Sequence, residues 1–131
     1  MRHVLPLVVM LAASAALGFA EGQAEKIEVY RDPERLARLV DSKEPAHFIV
    51  DVRTPEEYAA GHIPTAINIP VSEIGERPPT PDKNALIIVY CASGGRSARS
   101  KARLDQLGYT RVVDFGAISR WTGPIVTEES Q

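Results

Sequence analysis

An α/β fold with a largely parallel sheet, covered by helices on both faces, is what this 131-residue chain predicts. Three observations carry that expectation. Short apolar runs rich in β-branched residues alternate with helix-forming segments, the order a parallel sheet requires. The run Leu86-Ile87-Ile88-Val89-Tyr90 bears no charge, as befits a central strand buried on both faces. A capping residue followed by proline, at Asp32-Pro33 and again at Thr54-Pro55, marks two helix starts.

The chain opens on a segment of a different kind. Met1-Arg2-His3 is a short basic region, Val4 to Phe19 is apolar, and Gly18-Phe19-Ala20 places small residues where a signal peptidase cuts. Residues 1–20 therefore read as a signal peptide cleaved near Ala20, giving a periplasmic or secreted protein. The apolar run is short for a membrane span of about 20 residues and lacks a basic flank, so no stable membrane anchor is expected after cleavage. Beyond it, residues 26–124 read as one domain. Hydrophobic residues make up 44% of the sequence and charged ones 24%, enough apolar material for a single core. A net charge of −2 with no long basic run argues against a nucleic-acid partner.

Taken in order, Ile27-Glu28-Val29-Tyr30 alternates apolar and polar residues and predicts a short edge strand. Asp32 caps the next helix, with Leu36, Leu39 and Val40 on one face and a fade near Asp41-Ser42. Phe48-Ile49-Val50-Asp51-Val52 is the second strand. Thr54-Pro55 starts a helix with Glu56 and Glu57 in its first turn, ending at Gly61. Ala66-Ile67-Asn68-Ile69-Pro70 is the third strand, Val71 to Glu76 has room for one helical turn, and the proline-rich run 77–82 is a loop. After the central strand, a helix through Ala98-Arg99-Ser100-Lys101-Ala102-Arg103-Leu104 continues to Leu107 and closes at Gly108. Arg111-Val112-Val113-Asp114 is the last strand, and Trp121 lies in a tail that packs over the core.

Cys91, the one cysteine of the chain, ends the central strand, where open parallel sheets place reactive groups. Ala92-Ser93-Gly94-Gly95-Arg96-Ser97 then turns towards the helix. A lone cysteine at a strand end is commonly an inert core residue. A glycine-rich, basic turn beside it is not what an inert position needs. A strand that turns through glycines into a helix makes a cradle of N–H groups at the positive end of the helix dipole. Those donors, with Arg96 nearby, are expected to favour the thiolate. An exported protein usually pairs its structural cysteines, so the unpaired Cys91 is read as a nucleophile.

The stretch Asp51-Val52-Arg53-Thr54-Pro55-Glu56-Glu57-Tyr58-Ala59-Ala60-Gly61-His62-Ile63-Pro64-Thr65-Ala66-Ile67-Asn68-Ile69-Pro70 resembles the signature of the rhodanese (sulfurtransferase) family. The Cys91 loop is similar to that family's active-site loop, and Gly116 with Trp121 resembles its closing segment. The resemblance covers Lys26 to Pro124. It implies a rhodanese-like α/β fold with a five-stranded, mainly parallel sheet, and a Cys91 that carries sulfur as a persulfide within the backbone of Ala92, Ser93, Gly94, Gly95, Arg96 and Ser97. Three positions depart from the pattern. Ala92 stands where many members have a basic residue, so an anionic donor meets one positive charge fewer. Thr65 replaces a usual glycine, and Gly116-Ala117 a usual glycine pair.

The chemistry expected of such a site is two-step transfer. The thiolate takes the outer sulfur of a small sulfur-containing anion such as thiosulfate, and cyanide or a thiol, a protein thiol included, then removes it. No cofactor or metal is called for, since His3, His47, His62 and the carboxylates show no ligand spacing. Asp51 is expected to be structural, with Arg53 paired to Asp51, Glu56 or Glu57. His62 is expected to be a hydrogen-bonded turn histidine, and Arg99, Lys101 and Arg103 suggest a positive rim. Two other readings stand beside enzymatic transfer. One is a sulfur-relay or binding module with a protein partner. The other is a phosphatase or arsenate reductase of the same fold, for which the six residues Cys91 to Arg96 make too small a ring to hold a tetrahedral oxyanion.

Overall fold

The computed structural model describes residues 26–130; the expected signal peptide lies outside them. Four strands form one sheet: β1 (His47–Asp51), β2 (Ile67–Asn68), β3 (Leu86–Cys91) and β4 (Val112–Ala117). Their order is β2-β1-β3-β4 and every pairing is parallel. Among the described residues three α-helices flank them: α1 (Pro33–Ser42) before β1, α2 (Pro55–Ala60) between β1 and β2, and α3 (Gly95–Gln106) between β3 and β4.

Strand alternation divides the interior in two. Leu86, Ile88 and Tyr90 of β3 face one side with Ile49, Val113 and Phe115, where Leu36, Leu39 and Val40 of α1 cover them. Ile87, Val89 and Cys91 face the other with Val50, Val52 and Val112, covered by Leu104 of α3 and by Ile74. Since β3 is buried at all six positions, both faces of the central strand leave water, and at roughly 25 cal/mol per Å² of apolar area this burial dominates the stability. The sheet is therefore parallel and covered on both sides, as the alternation of elements predicts. Trp121 packs on the first of these clusters and donates its indole N–H to the Pro124 carbonyl at 2.9 Å.

The expected edge strand at Ile27–Tyr30 is corrected. Residues Glu28–Arg31 form a 3₁₀ turn, and the sheet has four strands among the described residues. A strand would send Ile27 and Val29 to the same face. The 3₁₀ turn brings positions three apart together: Ile27 is buried with Tyr30 packed against the same cluster, while Val29 is 39% exposed. Four residues are too few for the two periods to be told apart.

Several boundaries also move, β2 shortening to Ile67–Asn68 where Ala66 to Pro70 was expected. β4 runs on to Ala117 because a register shift beside Val89 and Tyr90 lets Tyr90 pair with Gly116, whose φ is +89°. α3 begins at Gly95 rather than Ala98, so Gly95, Arg96 and Ser97 are its first turn. The loop proper shrinks to Ala92-Ser93-Gly94.

Candidate active site

The parallel register of β1 and β3 sets Asp51 beside Tyr90, so both strands end on the same edge of the sheet. The helices that follow them, α2 and α3, start there too. Cys91 is the last residue of β3 and is fully buried on the α3 side. Gly94, at a φ of +105° that only glycine adopts without strain, reverses the chain and caps α3. The reversal aims the Gly94 N–H at the Cys91 sulfur, 3.0 Å away. Ser97, one turn into the chain and also buried, brings its hydroxyl oxygen to 3.5 Å from the same sulfur and donates to the Gly94 carbonyl at 3.1 Å.

The electrostatics follow from that geometry. Burial pushes the Cys91 thiol up, but the Ser97 hydroxyl and the N–H groups of Ser97, Gly94 and Ser93 outweigh it and hold the thiol below its ordinary value. The N–H groups of Gly95 and Arg96, in the first turn of α3, have no carbonyl within their own helix to donate to. Ala92 is half-buried and Ser93 and Gly95 are exposed, and a side-chain carbon at Gly95 would meet nothing within 4 Å. The sulfur thus lies buried beneath a short backbone loop whose residues Ser93 and Gly95 are exposed. A surface cavity of about 290 Å³ lies elsewhere, lined by Lys43, Ala46, His47 and Phe48 near the start of β1 among others, and Cys91 does not line it.

Arg96 is placed differently from its expected role. Its guanidinium binds Glu57 of α2 through two bonds, Nη1 to Oε1 at 2.6 Å and Nη2 to Oε2 at 3.0 Å. It lies within electrostatic range of Cys91 and Asp51, yet its charge is taken up by Glu57. The donors that lower the thiol are therefore those of the loop backbone and Ser97. Glu57 is the site-flanking residue that sequence reasoning assigned elsewhere, as a possible partner of Arg53. It also completes the capping box of α2, accepting from the Thr54 N–H and hydroxyl at 3.1 Å each. Hydrogen bonding to Arg96 outweighs burial, and with the bonds from Thr54 it brings the Glu57 carboxyl down to about 2.

The remaining signature residues are structural. Arg53 pairs with Asp51, at 2.7 Å between Nη2 and Oδ2, and donates to the Gly61 carbonyl at 2.6 Å. Asp51 is fully buried and also accepts the Arg53 backbone N–H at 2.9 Å, locking the exit of β1. Asn68 donates to the carbonyls of Asp51 and Arg53, at 3.0 Å each, from β2. His62 donates from Nδ1 to the Tyr58 carbonyl at 2.8 Å and stacks on the Tyr58 ring with centroids 3.7 Å apart. The expected cationic rim is dispersed: Lys101 pairs with Asp105 at 2.9 Å, and Arg103 lies against Gly75. Arg99 is exposed on the first half of α3.

Known proteins resemble this chain in sequence and in fold. Residues 32–123 match the family described as the rhodanese-like domain. A thiosulfate sulfurtransferase of Escherichia coli, PspE, is 45% identical over 75 residues, spanning 56% of this chain and 72% of that protein. A sulfurtransferase of Allochromatium vinosum is 40% identical over 103 residues, 75% of this chain and 94% of its own length. The solved structure of a rhodanese with anions from E. coli superposes at a TM-score of 0.60 and 40% identity, covering 63% of this chain and 99% of that one. With an all-parallel sheet, helices on both faces and a cysteine ending the central strand, the chain belongs to the family of rhodanese-like domains.

Proposed function

We propose that the chain is a sulfurtransferase that moves sulfane sulfur from a small anionic donor, such as thiosulfate, to cyanide or a thiol through a persulfide on Cys91. The observation that carries this reading is the Gly94 N–H at 3.0 Å from the Cys91 sulfur at the N-terminus of α3. The Cys91 thiolate attacks the outer sulfur of thiosulfate. The bond between the two sulfurs breaks, sulfite leaves with its electron pair, and Cys91 carries an anionic outer sulfur. The backbone N–H groups of Ala92 to Ser97 surround that sulfur, as an oxyanion hole surrounds oxygen. Cyanide or a thiolate, a protein thiolate included, then attacks the outer sulfur. Thiocyanate or a new persulfide leaves, and the thiolate of Cys91 is restored.

Phosphate chemistry is disfavoured on this chain's own geometry. A cysteine loop that holds a phosphoryl group inside its ring needs a guanidinium free to meet the oxygens, and here Arg96 is turned to Glu57, whereas thiosulfate need present only its outer sulfur to Cys91. Mass spectrometry after incubation with thiosulfate tests the reading. The expected result is a gain of one sulfur, about 32 Da, on Cys91 that cyanide removes as thiocyanate. Protein that gains no sulfur would overturn it.

The basic start, apolar run and Gly18-Phe19-Ala20 site support export of the protein as a periplasmic or secreted enzyme with residues 1–20 removed and the domain at 26–124. N-terminal sequencing from the native host should read Glu21 or a residue beside it. An intact Met1 would refute export by this route.

A further inference from the structure

We propose that Glu57 is a specificity-determining residue: by holding Arg96 in a bidentate ion pair it cancels the one cation of the cysteine loop, so that the site favours sulfur donors of low charge, monoanionic persulfides and thiosulfonates, over doubly charged ones. The proposal rests on the sulfur-transfer reading above and names its donor class.

Four observations support it. Among residues 91–97 Arg96 alone is cationic, with Ala92 following the cysteine. Both terminal nitrogens of Arg96 are bonded to the two oxygens of Glu57, at 2.6 and 3.0 Å, the fork geometry that fixes a guanidinium most firmly. The pair is only about a third exposed on either side, and Glu57 is further immobilised by Thr54. Arg53, another guanidinium near Glu57, is bound to buried Asp51. What an incoming donor meets in the loop is therefore the ionised sulfur ringed by N–H dipoles, with no free cation among residues 91–97. Dipoles suffice for one anionic sulfur, whereas a dianion gains twice as much as a monoanion from any free cation beside it. Cancelling that cation handicaps the dianion most. Glu57 touches no reacting atom in this scheme; it is a positioning residue acting through Arg96.

The test is Glu57→Gln, which removes the charge while its amide oxygen keeps the capping bonds to Thr54, glutamine being accepted at that position of a capping box. Steady-state transfer to cyanide is measured with thiosulfate, a dianion, and with methanethiosulfonate, a monoanion, in wild type, in Glu57→Gln and in the double variant Glu57→Gln/Arg96→Met. At low ionic strength the KM for thiosulfate should fall about fivefold and that for methanethiosulfonate about twofold, the square root expected from half the charge. The kcat should stay within about twofold, the gain should vanish at about 0.5 M salt, and the double variant should show no gain. The proposal is overturned by an unchanged or raised KM for thiosulfate, by equal shifts for the two donors, or by a gain that survives loss of Arg96. Wild type that turns over neither donor would overturn the sulfur-transfer reading instead. The charge relationship is then read from the ultraviolet absorbance of the thiolate: Glu57→Gln should titrate Cys91 at lower pH than wild type, and an unshifted titration refutes the pair's influence on the site.

Discussion

Ser97 and Cys91 form a contact that serves both protonation states of the thiol. With the proton on sulfur, the S–H donates to the Ser97 oxygen at 3.5 Å while the Ser97 hydroxyl donates to the Gly94 carbonyl at 3.1 Å. When the sulfur ionises, the hydroxyl hydrogen can turn to it, and the contact changes direction without moving a heavy atom. The Ser97 side chain heads the influences that lower the thiol, and it is opposed by burial.

Replacing Ser97 by alanine should therefore raise the Cys91 pKa. A hydrogen bond to a charged group is worth about 1.5–3 kcal/mol, so at neutral pH alkylation of Cys91 by iodoacetamide should slow by about tenfold. The sign is checked by the pH profile: a higher pKa leaves less thiolate at a given pH, so the rising limb moves to higher pH. The rate well above both pKa values should approach that of wild type. A limb that stays in place would mean that the backbone donors alone set the thiolate.

Cys91→Ser should abolish persulfide formation, since a hydroxyl cannot take up sulfur in this way. The fold should survive, because the serine oxygen can accept the Gly94 N–H and exchange bonds with Ser97 in the same place. A melting temperature within about 3 °C of wild type, with no sulfur uptake by mass spectrometry, is the expected outcome. Residual turnover near the wild-type rate would show that Cys91 is not the sulfur carrier.

How much of this was legible follows from the range of each interaction. β3 and its terminal cysteine could be read because an uncharged apolar run ending in glycines is a local pattern. The pairing of Arg53 with Asp51, two residues away, was among the options for the same reason. The true start of α3 at Gly95 was hidden because two glycines are poor helix formers; the helix begins there because the chain reverses at Gly94 and Ser97 must reach Cys91. The Glu57–Arg96 pair spans 39 positions and exists only because parallel β1 and β3 bring the starts of α2 and α3 together. No spacing in the sequence reports that.

Asp51→Asn tests the locked exit of β1. The carboxylate is fully buried and meets three donor groups of Arg53. Removing its charge leaves a nearly buried guanidinium without a counter-ion, a change that costs about 3–5 kcal/mol in buried pairs. Urea unfolding should show a loss of that size with little change in slope. A loss under about 1 kcal/mol would mean that the Gly61 carbonyl and water suffice to hold Arg53.

The last prediction separates the fit of the loop to one sulfur from its attraction for an anion. Inserting a glycine between Ser93 and Gly94 widens the ring and carries the Gly94 N–H away from the sulfur it now meets at 3.0 Å. Loss of one aligned donor at such a site costs about 2.7–4 kcal/mol, so persulfide formation should fall by about a hundredfold or more. Ala92→Arg acts on the other quantity. Residue 92 is half-buried beside the cysteine and lies in the loop, so a guanidinium there adds a cation where the donor arrives. The KM for thiosulfate should fall at low ionic strength and return towards wild type as salt screens the charge, with kcat nearly unchanged. Thiosulfate kinetics for both variants at low and high salt provide the measurement. An insertion that leaves the rate intact would mean that the loop does not cradle the sulfur. A KM for Ala92→Arg that ignores salt would place residue 92 away from the path of the donor.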